Sequence, residues 1–406
     1  MDFEERPEHA AFRAEVRAFL AAHAEPRSGR IEASPLANQA GSAEEAEHVR
    51  RSQAWQATLY DNGWAGITWP REHGGRGGTV VEQMIFNQEV AAFDVSTGVF
   101  AQGIGMAGPT IMAHGSDEQK DRFLRPMLRG DELWCQLFSE PNAGSDLAGL
   151  RTRAERDGDE FLVNGQKVWT SSAHYSDWGI LLARTDVDVP KHRGITYFLV
   201  DMRTPGIDVR PLRQITGAAH FNEVFLTDVR IPVANVVGAV DAGWGPTMTT
   251  LMNERTLIGG GGQDTITPLR RLLARFGGTT EPTTRDAFTR CHIDRELIRF
   301  LGWRVQSSIM RGEQPGPESS VLKLAHTAHI TRVADLGMAI AGASAMLDAT
   351  DDAELHRLIQ SFLGQFASKI GGGTDEIQRN IVAERVLGLP GDVRVDKSAP
   401  FRDLAP

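Results

Sequence analysis

The 406-residue chain is 41% apolar and 24% charged, a composition that can bury a full-sized core, and its length corresponds to roughly two to three domains. Its 43 Lys and Arg against 53 Asp and Glu leave a formal charge of -10, which argues against a general polyanion binder. No apolar run reaches the roughly 18 residues of a membrane span, the acidic opening MDFEERPEHAAF lacks a signal-type apolar stretch, and two cysteines are too few for a disulfide framework, so the expected setting is cytoplasmic.

Residues 1–130 read as a helical domain. Phe12, Val16, Phe19 and Leu20 recur at helical spacing between charged residues, the mark of a surface helix with one buried stripe. A loop rich in Ser, Pro, Gly and Asn is expected from Ser28 to Gly41, then a helix from about Ala43 to Asn62 stopped by Gly63. The connector GWAGITWPREHGGRGG (63–78) carries Trp64 and Trp69 and leads into a helical run from Val80 to Phe93. Residues 131–240 change texture to short extended runs, among them LWCQLFSE, EFLVNGQKVWTS, WGILLARTD, GITYFLVDM and NEVFLTDVRIP, which predict a small antiparallel β-barrel-like domain. Asn164-Gly165 between two apolar runs reads as a hairpin turn. Residues 241–406 are helical again, in runs over 244–276, 283–311, 318–348 and 352–387, and their lengths favour a four-helix bundle.

Several familiar patterns fail on context. Gly103, Gly105 and Gly108 match the spacing of a dinucleotide fingerprint, but no clean strand precedes them and Pro109 follows, so they read as helix-packing glycines. His326 and His329 lie three apart on an expected helix, and no carboxylate or cysteine completes a metal set around them. The informative stretch is FSEPNAGSDLAGL (138–150), where a strand gives way to small residues whose backbone N–H groups can approach an anion or a heteroaromatic ring.

With GWAGITWPREHGGRGG, FSEPNAGSD (138–146), GQKVWTS (165–171), NEVFLTDVRIP and GGTDEIQRNIVAERVLG (372–388) in this order, the chain resembles the acyl-CoA dehydrogenase family along essentially its whole length. The resemblance implies an α+β chain with an N-terminal helical domain, a central β-domain and a C-terminal four-helix bundle. It implies FAD held between the β-domain and the bundle, electrons passed to an electron-transfer flavoprotein, and a homotetramer built as a dimer of dimers. Carried over by position, Phe138 and Ser139 lie against the isoalloxazine, and Gly144 and Ser145 sit beside the flavin and the CoA thioester. Trp169 flanks the ring and Ser171 hydrogen-bonds its edge. Arg285 and Phe288 keep part of an Arg-x-x-Phe-Gly segment that reaches a neighbouring subunit's FAD, with Thr289 in place of the glycine. Thr374, Glu376 and Gln378 are expected on the adenosine side, while LGMAIAGAS (336–344) is a weakened version of a glycine-rich flavin segment.

The reaction this implies, α,β-dehydrogenation of an acyl-CoA thioester to the trans-2-enoyl-CoA, needs a carboxylate beside the substrate α-carbon, and desolvation raises such a group toward working pH. Straight-chain relatives carry that Glu before the Gly-Thr of the C-terminal motif, where this sequence has Gly372, Gly373 and Thr374. A branched- and long-chain subset carries it on the first bundle helix as Leu-x-x-Glu-Arg, matched here by Leu251 to Arg255, so Glu254 is the expected base and Arg255 its neighbour at the thioester end. Asp375 and Glu376 are the nearby competitors. The glycine run at 259–262 reads either as tight helix packing or as a widened acyl pocket. Two alternatives to a self-sufficient dehydrogenase stay open: a non-catalytic or half-site subunit of a hetero-oligomer, and a flavin oxidase or monooxygenase on the same fold.

Overall fold

Helices frame a central sheet in the computed structural model, which describes residues 6–27, 41–96, 98–259, 265–277, 281–311, 316–347, 351–391, 393 and 398–404. Helix α1 (Pro7–His23) starts on a proline that has no N–H to strand and buries the expected stripe of Phe12, Val16, Phe19 and Leu20. In α2 (Ala43–Asp61) the Ser42 hydroxyl caps Glu45 N–H. Reciprocal caps open α3 (Val80–Val90) at Thr79/Glu82 and α5 (Asp117–Arg129) at Ser116/Gln119. Between them a π-turn at Gly103–Ala107 runs into α4 (Gly108–His114). A Cβ on Gly108 would stand 2.3 Å from the Trp69 ring and one on Gly103 3.2 Å from Met127, so these glycines serve packing. The loop expected over 28–41 lies, Gly41 apart, outside the described residues.

The sheet has seven strands: β1 (Trp134–Leu137), β2 (Arg153–Asp157), β3 (Glu160–Ser171), β4 (Trp178–Arg184), β5 (Ile195–Asp201), β6 (Ile207–Leu212) and β7 (Phe221–Pro232). Their order is β1-β4-β2-β3-β7-β6, with β5 on the other side of β4. Most pairings are antiparallel, but β1 and β2 both join β4 in parallel, a departure from the all-antiparallel expectation. Asn164-Gly165 is no hairpin either. Strand β3 runs straight through it with a register shift against β7, and a Cβ on Gly165 would lie 2.4 Å from the Thr152 hydroxyl. Asn164 instead trades side-chain and backbone hydrogen bonds with Asp228, while the actual turn into β3 uses Gly158 at φ 64°.

The C-terminal part comprises α6 (Trp244–Gly259), α7 (Ile266–Phe276), α8 (Pro282–Met310), α9 (Glu318–Ala341), α10 (Ala353–Ile370) and α11 (Asp375–Ile381). Helix α9 is central, packing on α6, α7, α8, α10 and α11. Gly337 lets α10 close on α9, since its Cβ would stand 2.3 Å from Leu358. The expected run over 352–387 is broken where Gly372 and Gly373 take left-handed φ of 66° and 86°. No described helix is long and apolar enough to cross a membrane.

Candidate active site

The segment after β1 is fixed by a buried ion pair. The Lys167 ammonium, fully buried on β3, donates to Glu140 Oε1 at 2.8 Å and to Phe138 O at 3.0 Å. Glu140 also accepts from the backbone N–H groups of Arg151 and Thr152 at 2.7 and 2.9 Å. Burial pushes the Glu140 carboxyl up, but the Lys167 charge and these hydrogen bonds outweigh it and hold it below its ordinary range. Burial likewise lowers the Lys167 ammonium, with Glu140 opposing the shift. Residues 138–152 are thereby tied to β3 at two points, with Ser139 half-buried and Gly144, Ser145 and Asp146 left exposed.

Two residues beyond Lys167 the backbone turns over. Trp169 adopts φ 61°, a left-handed conformation costly for a bulky side chain, and its indole is 60% exposed. The kink coincides with a register shift between Lys167 and Thr170, and the ring meets Phe221 edge-on at a centroid distance of 5.9 Å. Strained residues of this kind cluster at functional sites, and the open indole offers a flat apolar surface. The adjacent Thr170 hydroxyl is buried with no hydrogen-bond partner among the described residues, and Ser171 is half-buried beside it. An open aromatic face, the half-buried Ser171 and the exposed Gly144 fit an isoalloxazine edge, while the Thr170 hydroxyl is buried away from that open side.

A second chain of contacts links this segment to α6. The Phe138 ring meets Tyr197 edge-on at 5.9 Å, the Tyr197 hydroxyl lies 3.1 Å from Thr250 Oγ1, and Thr250 lies 2.8 Å from Thr110 Oγ1. All three hydroxyl residues are fully buried, and the Thr110 hydroxyl donates to Met106 O at 2.9 Å. Thr249 adds a 2.8 Å contact to His114 Nε2. Glu254 lies one turn beyond Thr250 on the same helical face, half-buried. The side chain of Arg255 and, beyond Gly259 at the end of α6, the rest of the glycine run read above as packing or pocket fall outside what is described.

Asp375, a competitor for the base, is buried in a structural pair: Lys323 Nζ donates to Oδ1 at 2.8 Å and Thr327 Oγ1 to the same oxygen at 3.1 Å. Glu376 is exposed beside Arg379 at 3.2 Å. Thr374 caps α11 by accepting from Ile377 N–H at 3.2 Å. Gln378 is buried and turned inward, its amide donating to Gly372 O at 3.0 Å and Gly373 O at 3.3 Å while its Oε1 is left without a partner among the described residues. Arg285 is exposed at the start of α8, and Phe288 packs against the apolar cluster of Leu269, Leu272 and Leu358 rather than facing outward. Sequence reasoning missed Glu140, Lys167, Tyr197 and Thr250. A lysine and a glutamate inside otherwise apolar strand ends were the available signal for the first two.

Three family models match the chain: Acyl-CoA dehydrogenase, N-terminal domain, over residues 6–131, middle domain over 135–229 and C-terminal domain over 241–387. The chain is 43% identical to the acyl-CoA dehydrogenase FadE34 of Mycobacterium tuberculosis over 82% of its own length, but it spans only 46% of that relative. It is similar to the solved Tcur3481-Tcur3483 steroid ACAD at 30% identity and TM-score 0.81, covering 97% of this chain and 100% of that one. It is also similar to a chain of the ChsE4-ChsE5 complex from Mycobacterium tuberculosis at 31% identity and TM-score 0.79, with coverage of 97% and 100%. These relatives correct the homotetramer expected above: the two solved assemblies are each named for two different chains.

Proposed function

The chain belongs to the acyl-CoA dehydrogenase family of FAD-dependent oxidoreductases, and from that premise we propose that it is the base-bearing subunit of a hetero-oligomeric acyl-CoA dehydrogenase whose substrate carries a bulky, cyclic or sterol-derived acyl group. The observation that carries the reading is the continuous path from Phe138 through Tyr197 and Thr250, which brings the helix of Glu254 to the strand end that would meet the flavin. Asp375 is engaged elsewhere, and Gly372 stands where a loop carboxylate would otherwise be. Two similar structures named for pairs of chains, and a relative more than twice as long as the stretch it shares, support a partner of comparable size. The steroid name of one of them, together with a base on the helix that leaves the Gly372 side open, supports a large acyl group.

In this reading Trp169 would cover one face of the ring and Ser171 would offer a hydroxyl at its edge. Bound FAD supplies the acceptor for the hydride that leaves the substrate β-carbon. Gly144 and Ser145 would lie beside the CoA thioester, and a backbone N–H that polarises its carbonyl oxygen would acidify the α-carbon. The α-proton passes to a carboxylate oxygen of Glu254, and the product is the trans-2-enoyl thioester. An electron-transfer flavoprotein is the acceptor that the family resemblance supplies.

The test is anaerobic titration of the protein, alone and co-expressed with a second family member, using straight-chain, 2-methyl-branched and steroid-side-chain thioesters and reading the oxidised flavin band. Bleaching by the bulky class, in the co-expressed pair only, is the expected outcome. Glu254→Gln should retain FAD and slow bleaching by roughly 10²–10⁴-fold, the usual worth of a general base. Bleaching at the wild-type rate would remove Glu254 from the mechanism.

A further inference from the structure

The chain end returns to the sheet. Phe401 N–H donates to Val189 O at 2.9 Å, Arg402 N–H donates to Val187 O at 3.0 Å, and Pro400 bridges Pro190. Arg402 adds an ion pair with Asp188 at 2.8 Å. Between these anchors Phe401 turns inward and is buried, its ring centroid 3.8 Å from the Arg184 guanidinium. Arg184, itself buried at the end of β4, donates to Ala148 O at 2.6 Å and to Lys191 O at 2.7 Å. Lys191 in turn pairs with Asp146 at 2.9 Å. The backbone that follows Gly144 and Ser145 is thus held from beneath by one guanidinium, and the tail ring is the lid on that guanidinium.

A buried guanidinium needs something in place of water. Burial pushes Arg184 down to about 10, and its Nε has no hydrogen-bond partner among the described residues. The negative face of an aromatic ring supplies part of the lost solvation, and an aliphatic side chain of similar volume does not.

We propose that Phe401 is a positioning residue for thioester binding: its ring keeps the Arg184 guanidinium in place, and through Arg184 it sets the backbone of residues 144–150 against CoA. The inference rests on the reading that Gly144 and Ser145 meet the thioester end.

The probe is free coenzyme A, titrated calorimetrically into the FAD-loaded co-expressed pair, with melting temperature and FAD content measured alongside. Phe401→Leu fills the space without the ring and should weaken CoA about five- to tenfold, the range of a desolvated cation–π contact, with FAD retained. Phe401→Trp should stay within about twofold of wild type. Arg402→Ala loosens only the exposed end of the tail and should weaken CoA about two- to threefold. Wild-type affinity in Phe401→Leu, or equal loss in the Leu and Trp variants, overturns the role of the ring. If Phe401→Leu does not fold, unchanged affinity in Arg402→Ala overturns the proposal. A wild-type protein that binds FAD but no CoA would instead defeat the thioester reading itself, and this inference with it.

Discussion

Lys167 is the residue on which the site loop turns, because it satisfies the Phe138 carbonyl just past β1 and the Glu140 carboxylate that accepts from the Arg151 and Thr152 backbone donors. Removing one partner of a buried pair leaves the other uncompensated, so Lys167→Met should cost about 3–5 kcal/mol in denaturant unfolding. The pH dependence should also change sign. In the wild type the Glu140 carboxyl is held below its unfolded value, so its contribution is present above the ordinary carboxylate range and is lost as pH falls through the folded value. Without Lys167 burial dominates, the folded value rises, and stability is lost as pH rises through it. Denaturation of Lys167→Met at about pH 5 and about pH 8 checks this, with lower stability at the higher pH as the expected outcome. Equal stability at both would mean that the two backbone donors suffice to hold the charge.

At the scale of elements, α6 is keyed by hydroxyls rather than by apolar packing alone. Thr250→Val is nearly isosteric but takes one hydrogen-bond partner from the fully buried Tyr197 hydroxyl, at about 0.5–1.5 kcal/mol. Flavin reduction should slow more than FAD binding weakens, and Thr250→Ser should recover most of it; equal rates in the Val and Thr forms would show that α6 seats without the contact. Such keys were not legible in the sequence, since Thr110, Tyr197 and Thr250 lie far apart in the chain and each is unremarkable where it stands. What was legible followed periodicity: the α1 stripe, the change to strands near Leu133, and the return to helices near Trp244. Asn164-Gly165 misled because a turn pair also suits a strand that must bulge to pass Thr152 closely, and only the neighbour decides which. Asp375 looked like a candidate base because the sequence carries no sign of Lys323, which reaches it from another helix.

Across the whole molecule, the described residues leave an exposed apolar stripe on α8. Ile293, Leu297 and Phe300 recur at i, i+4 and i+7 along α8 and are each about half exposed, with Trp303 edge-on to Phe300 at 5.5 Å. A contiguous stripe of this kind marks an association face. A second family member is the occupant we assign, because similar structures are named for pairs of chains and because Arg285, at the start of the same helix, is the cation expected to reach a neighbour's cofactor. Leu297→Glu with Phe300→Glu would place two charges in that face, each costly to desolvate beside apolar partner surface. In the co-expressed pair the double variant should elute as smaller species by light scattering and lose FAD along with the partner, while its isolated fold, read by circular dichroism, stays unchanged. Retention of both partner and flavin would move the interface to another face of the bundle.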